Sequence, residues 1–110
     1  MQEDVQPGRV AELVRAGEAQ LVDVREPYEH EAGRIEGARH IEMHQLTEQA
    51  SEIDLDRPVI FYCRVGSRSA MAAQAFRAAG YDAYNMTGGI AAWVATGLEI
   101  EPEGGTVADH

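Results

Sequence analysis

The sequence contains no lysine, because all nine of its basic residues are arginine. A lysine Schiff base and a lysine-dependent phosphate loop are therefore excluded. The 19 acidic residues bring the formal net charge to −10, which disfavours non-specific binding to nucleic acid or to an anionic membrane surface. The sequence thus predicts no nucleic-acid partner and no membrane partner.

Cysteine is almost as scarce, since the chain has one thiol, at Cys63. A single cysteine excludes an intramolecular disulfide, and it also excludes a second thiol that could discharge a modified Cys63 within the same chain. Any group that Cys63 carries must therefore leave it for an acceptor outside the chain.

Long apolar runs are absent as well. No apolar segment approaches the roughly 20 residues of a membrane-spanning helix. The N-terminal sequence MQEDVQPG is acidic and polar, unlike a signal peptide. These features predict a cytoplasmic protein. The 110 residues are enough for one domain with its own hydrophobic core, which we expect to be a monomer or a homodimer.

Short apolar segments alternate with helical patterns along the chain. This alternation predicts an α/β domain with a mostly parallel central sheet flanked by helices on both faces. Strands are predicted at residues 21–24, 39–42, 59–62 and 81–86, and helices at residues 7–17, 27–33, 42–55, 67–80 and 88–97.

The two ends of the chain differ in composition from the part between them. We predict one domain over residues 8–100, preceded by an N-terminal extension at residues 1–7. Residues 101–110, EPEGGTVADH, are polar and rich in glycine, which predicts a flexible tail.

Cys63 occupies the position at which parallel α/β sheets bind their ligands. It directly follows the predicted strand at residues 59–62 and precedes the predicted helix at residues 67–80, and ligands bind at the carboxyl ends of such strands. Backbone N–H groups and the positive end of the helix dipole favour an anion there. We therefore expect a lowered Cys63 pKa and a nucleophilic thiolate.

The loop sequence CRVGSRS supports that interpretation. Gly66 permits a tight backbone path, and Ser67 and Ser69 are suitable helix caps. Arg64 and Arg68 add positive charge, so the loop is suited to a sulfur- or phosphorus-centred anion. Two alternatives stay open: free cysteines are often buried structural residues, and Arg64 on its own fits a solvated loop charge.

Three segments resemble the single-domain rhodaneses, a family of sulfurtransferases. They are LVDVREPYEHEAGRIEGARHI at residues 21–41, CRVGSRS at residues 63–69 and MTGGIAAW at residues 86–93, within a resemblance that covers about residues 8–100. The resemblance implies the rhodanese-like fold and a persulfide on Cys63, with sulfur taken from a small anionic donor such as thiosulfate. It implies an external thiol, cyanide or a protein as the acceptor, and neither a metal nor an organic cofactor.

The resemblance also implies roles for the residues around Cys63. The loop backbone would hold the transferred sulfur, and the two loop arginines would bind the anionic donor. Asp23 and Arg25 would support the loop, although a purely structural ion pair is the alternative. The residues implied in substrate binding are Arg64, Val65, Gly66, Ser67, Arg68 and Ser69.

Loop length separates the candidate enzyme classes. Four residues lie between Cys63 and Arg68, as in rhodaneses, whereas five separate the corresponding residues in phosphatases and arsenate reductases that share the fold. The shorter loop favours a sulfur atom over a tetrahedral oxyanion. A sulfur relay to a protein partner and a regulatory binding module remain open as further alternatives.

Overall fold

Five strands form one sheet in the computed structural model, which describes residues 3–110. The strand order is β1-β5-β4-β2-β3, and every pairing between neighbours is parallel. This confirms the predicted α/β class with a parallel central sheet. The strands are β1 (Asp4–Val5), β2 (Gln20–Asp23), β3 (Arg39–His40), β4 (Val59–Tyr62) and β5 (Ala83–Met86).

Three α-helices connect strands and a fourth follows β5. Two of the four begin as the sequence predicts, with proline in the first turn. Proline suits this position because its missing N–H group would have no intrahelical partner there. Within the described residues, no helix is both long and apolar enough to cross a membrane. The helices are α1 (Pro7–Arg15), α2 (Pro27–Ala32), α3 (Ser67–Ala78) and α4 (Gly89–Ala95).

The alternation of side chains along β4 divides the core into two layers. Ile60 and Tyr62 belong to the cluster that contains the buried residues of α1 and α4. Val59, Phe61 and Cys63 belong to the other cluster, which contains the buried residues of α3. Helices therefore cover both faces of the sheet, as predicted, and Cys63 lies on the face covered by α3.

Residues 42–55 do not form the predicted helix. They contain two short 3₁₀ turns, Met43–Gln45 and Ala50–Glu52. The carbonyl of Ala50 accepts hydrogen bonds from the Ile53 amide and from the Tyr81 hydroxyl. Such tertiary and tight-turn bonds outweigh the weak helical preference of a largely polar segment.

Segments near both ends of the described range, residues 3–110, pack against the rest of the domain. Asp4 and Val5 form β1 at the edge of the sheet, a strand that the sequence analysis does not predict. Residues 101–110, predicted to be flexible, lie along α2 in this structure. There the Thr106 amide donates to the Ala32 carbonyl at 2.8 Å.

Candidate functional site

The Cys63 sulfur lies at the start of α3, enclosed by the loop that follows β4. Cys63 is fully buried, its Sγ accepts a hydrogen bond from the Gly66 amide at 3.1 Å, and the Ser69 hydroxyl lies 3.4 Å from the same sulfur. Gly66 is the N-cap of α3 and has a φ of 104°, a conformation that favours glycine. The loop therefore directs hydrogen-bond donors at a single sulfur atom.

Opposing effects act on the Cys63 pKa. Burial raises the pKa, whereas the Ser69 hydroxyl and the backbone amides of Ser69, Gly66 and Arg68 lower it. The donors prevail, so the pKa of Cys63 lies below its ordinary value. Because hydrogen bonds to a charged form favour that form, the loop promotes the thiolate in the direction expected from the sequence.

The two loop serines differ in their surroundings. Neither acts as the predicted helix cap, because the α3 N-cap is Gly66 and has no side-chain cap hydrogen bond. Ser67 is exposed, and Ser69 is buried against Cys63. Of the two side chains, only that of Ser69 lies within hydrogen-bonding distance of the sulfur.

Arg64, the first of the two loop arginines, pairs with an exposed carboxylate. Its Nη2 lies 3.2 Å from a carboxylate oxygen of Asp109, whose side chain is 97% exposed. The adjacent Val65 is also exposed. The ion pair brings the C-terminal segment to the cysteine loop, and such an exposed pair contributes at most about 1 kcal/mol to stability.

Arg68 is held more firmly, by a carboxylate that the sequence analysis did not identify. Its two terminal nitrogens donate to the two carboxylate oxygens of Glu29, at 2.8 and 3.0 Å. Glu29 is fully buried and also accepts the Glu26 amide. Burial raises the pKa of Glu29, but these hydrogen bonds and the Arg68 charge bring it below its usual value. Nothing local in the sequence predicts this pair, which joins residues 39 positions apart.

Asp23 and Arg25 form a buried ion pair at the end of β2. Two guanidinium nitrogens of Arg25 donate to the two oxygens of Asp23, at 2.9 and 2.8 Å. Asp23 also accepts the Tyr62 hydroxyl at 3.0 Å. The pair therefore reaches the loop indirectly, through the residue that precedes Cys63.

Replacement of Asp23 by asparagine should destabilise the fold by about 3 kcal/mol, because it leaves the Arg25 charge buried without a counter-charge. Burial raises the Asp23 pKa, but the Arg25 partner holds it below its usual value overall. In the native protein this stabilisation is present above the unfolded pKa of about 4 and is lost as the pH falls through the folded pKa. Urea unfolding at several acidic pH values measures both effects.

Asp54→Asn is the matched control for that substitution. Asp54 pairs with Arg57 at 3.4 Å, and both side chains are exposed, so the loss should stay below about 1 kcal/mol. If the two variants had equal stability and equal pH dependence, the buried pair would not support the fold in the way described.

A polar chain continues from Ser69 to the edge of the sheet. The Ser69 hydroxyl lies 2.6 Å from Oδ1 of Asn85, and Nδ2 of Asn85 donates to Asp4 at 3.2 Å. The sequence analysis identified Ser69 but neither Asn85 nor Asp4, because β1 was not predicted and Asn85 lies within an apparently ordinary strand.

Among the described residues, one group of possible metal ligands lies beside the site, but its charges do not suit a cation. Oxygen and nitrogen atoms of Glu26, Glu29 and His110 lie within 4.8 Å of one another. The Arg68 guanidinium already occupies both oxygens of Glu29, and its positive charge opposes a cation there.

The start of α4 supports the cysteine loop from the other side. The amide of Ile90 donates to the Cys63 carbonyl at 2.9 Å, and that of Ala91 donates to the Arg64 carbonyl at 3.0 Å. Gly88 and Gly89, both with a positive φ, form the tight turn that allows this close approach.

Comparison with known proteins gives the family. The family model described as a rhodanese-like domain matches residues 6–96. The thiosulfate sulfurtransferase GlpE of Pseudomonas aeruginosa is 37% identical over 90 residues, which are 81% of this chain and 81% of that protein. The uncharacterized protein YqhL of Bacillus subtilis is 48% identical over 85 residues, which are 74% of this chain and 68% of that protein.

A solved structure extends the similarity to the fold. The crystal structure of a rhodanese-related protein from Thermoplasma volcanium has a TM-score of 0.84 and 25% sequence identity, and the match covers 91% of this chain and 98% of that chain. The family match, the parallel sheet and the cysteine loop agree with one another. This chain therefore belongs to the rhodanese-like domain family.

Proposed function

We propose that the protein is a sulfurtransferase that carries a sulfane sulfur from thiosulfate or a related donor as a persulfide on Cys63. The observation that carries the proposal is the set of loop donors directed at Sγ, which lower the pKa of the only thiol in the chain. A lowered pKa provides the thiolate that a nucleophilic mechanism needs.

The reaction has two displacement steps. In the first, the Cys63 thiolate attacks the outer sulfur of thiosulfate, a new S–S bond forms, and sulfite leaves with the electron pair of the broken bond. In the second, an acceptor such as cyanide attacks the outer sulfur of the persulfide, and thiocyanate leaves while the thiolate is regenerated. The loop amides stabilise the negative charge on sulfur throughout.

The arginines have different roles in this proposal. Arg64 binds the anionic donor, because its present partner Asp109 is exposed and exchangeable. Arg68 supplies positive charge from a fixed position, because Glu29 holds its guanidinium in a two-point contact. Asp23 and Arg25 position the end of β2 next to the loop.

The relatives and the spacing of the loop support a sulfur substrate. The GlpE relative is a thiosulfate sulfurtransferase by name, and four residues separate Cys63 from Arg68. A protein acceptor would use the same chemistry at Cys63, since no second thiol in the chain can receive the sulfur. One mechanism at Cys63 therefore serves a small-molecule acceptor and a protein acceptor.

The intact mass of the protein tests the proposal directly. We expect a gain of one sulfur atom after thiosulfate and its loss after cyanide, with one thiocyanate formed per sulfur lost. Because the chain has one cysteine, the position of the sulfur is unambiguous. If thiosulfate and cyanide left the mass unchanged and a phosphate ester were hydrolysed instead, the proposal would be wrong.

Replacement of Arg64 by alanine should raise the KM for thiosulfate about tenfold, which corresponds to the loss of one charge-assisted hydrogen bond. Asp109→Asn should have the opposite effect, a decrease of about twofold, because it removes the carboxylate that competes for Arg64. Steady-state kinetics with varied thiosulfate measures both. Equal KM values in the two variants would exclude Arg64 from donor binding.

A further inference from the structure

We propose that Asn85 is a positioning residue that directs the Ser69 hydroxyl proton away from the Cys63 sulfur, and that Asp4 holds Asn85 in the orientation required. The inference rests on the proposed function only in assigning Cys63 as the nucleophile. It concerns β1 and β5, which lie outside the cysteine loop.

Asp4 determines which way the Asn85 amide faces. An ionised carboxylate can only accept hydrogen bonds, so the group 3.2 Å from the Asp4 oxygen must be the NH₂ group of Asn85. The amide oxygen then necessarily faces Ser69, where it lies 2.6 Å from the hydroxyl. The orientation follows from the chemistry of the two neighbours.

Ser69 has one hydroxyl proton and two possible acceptors. The Asn85 oxygen is at 2.6 Å and the Cys63 sulfur at 3.4 Å. Oxygen is the better acceptor and the shorter distance is normal for an O–H···O bond, whereas a thiol sulfur accepts weakly. With the proton on the Asn85 side, Ser69 presents a lone pair to the sulfur and can accept the Cys63 S–H.

Formation of the thiolate reverses this arrangement. The Ser69 proton must turn to the negative sulfur, which leaves two oxygen lone pairs facing each other across the short Ser69–Asn85 contact. Asn85 therefore opposes the thiolate, while the loop amides promote it. In the persulfide the negative charge lies on the outer sulfur, so Ser69 can return its proton to Asn85.

The charged groups around Cys63 are distinct from the hydrogen-bond effect that we assign to Asn85. Charged side chains lie in the cysteine loop, on α2, at the end of β2 and on β1, whereas the side chains of α4 include no titratable group. Asn85 is neutral, so it acts through the Ser69 proton and not through charge. The charged groups are Arg64 and Arg68 in the loop, their partners Asp109 and Glu29, the pair of Asp23 and Arg25 at the end of β2, and Asp4 on β1.

The test is a pH titration of the thiolate by its ultraviolet absorbance, with the Cys63→Ser spectrum subtracted at each pH. We expect Asn85→Ala to raise the ratio of thiolate to thiol at a fixed pH about tenfold. The gain should vanish in an Asn85→Ala, Ser69→Ala double variant compared with Ser69→Ala alone, because no hydroxyl remains to be released.

Asp4→Asn provides a second test that leaves the buried residues unchanged. The new amide can donate its NH₂ group to the Asn85 oxygen, which leaves the Asn85 NH₂ group free to turn towards Ser69, and the thiolate fraction should rise. Glu3→Gln is the matched control, because it removes the same charge from a side chain paired with Arg77 at 2.7 Å and not with Asn85.

The outcomes separate this inference from the proposed function. An unchanged or smaller thiolate fraction in both Asn85→Ala and Asp4→Asn would overturn it, as would equal effects of Asp4→Asn and Glu3→Gln. The titration contains no sulfur donor, so failure of sulfur transfer would not alter it. Conversely, normal persulfide formation with no change in the titrations would contradict the role of Asn85 alone.

Discussion

Replacement of Cys63 by serine is expected to reduce transfer of sulfur from thiosulfate to cyanide to background, a loss of at least about a thousandfold. A serine hydroxyl stays protonated at neutral pH and cannot form the persulfide. The fold should remain, because serine is nearly isosteric and its oxygen can accept the Gly66 amide that now donates to Sγ. Thiocyanate formation and intact mass measure the loss, and thermal unfolding tests the fold.

Ser67→Ala serves as the control for the cysteine variant. Ser67 is the exposed first residue of α3, and its side chain makes none of the identified contacts with Cys63. We expect its activity to fall far less than that of Cys63→Ser. If the serine variant of Cys63 still gained a sulfur atom and still formed thiocyanate, the persulfide mechanism would be untenable.

Replacement of Gly89 by alanine is expected to lower the free energy of unfolding by at least about 3 kcal/mol and to disturb the cysteine loop. The new methyl group would lie 2.5 Å from the carbonyl oxygens of both Cys63 and Arg64. Its neighbours are backbone atoms, so no side chain can move aside to relieve the contact. Gly89 also has a φ of 61°, which L residues adopt at a cost.

Gly17→Ala separates the steric effect from the backbone effect. Gly17 has a similar φ of 71°, but a methyl group there would meet no atom within 4 Å. Only the backbone cost remains, about 1 kcal/mol. Denaturant unfolding of both variants measures the difference. Equal losses would show that the close approach of α4 to the loop is unimportant.

Local patterns were sufficient for the strands and helices that build the site. The apolar segment VIFY became β4, and the alanine-rich segment after the cysteine loop became α3. Each of these segments has one strong local preference that agrees with its place in the core. The position of Cys63 between them followed from chain order alone.

Sequence patterns led to wrong or missing secondary-structure predictions where tertiary contacts were stronger than the local preference of the segment. Residues 42–55 have a weak helical pattern, and bonds such as that between the Tyr81 hydroxyl and the Ala50 carbonyl replace the helix with short turns. β1 has only two residues, too few for a periodic signal. Its place depends on the free edge that β5 offers.

The sequence by itself determined the class of fold, the single thiol and the donor-rich loop that follows β4. Only the tertiary structure decided which partners those residues have. Glu29 holds Arg68 across 39 positions, and Asn85 binds Ser69 across 16. The physical reason is that hydrogen bonds between side chains depend on distance in space, which chain folding establishes and residue spacing does not encode.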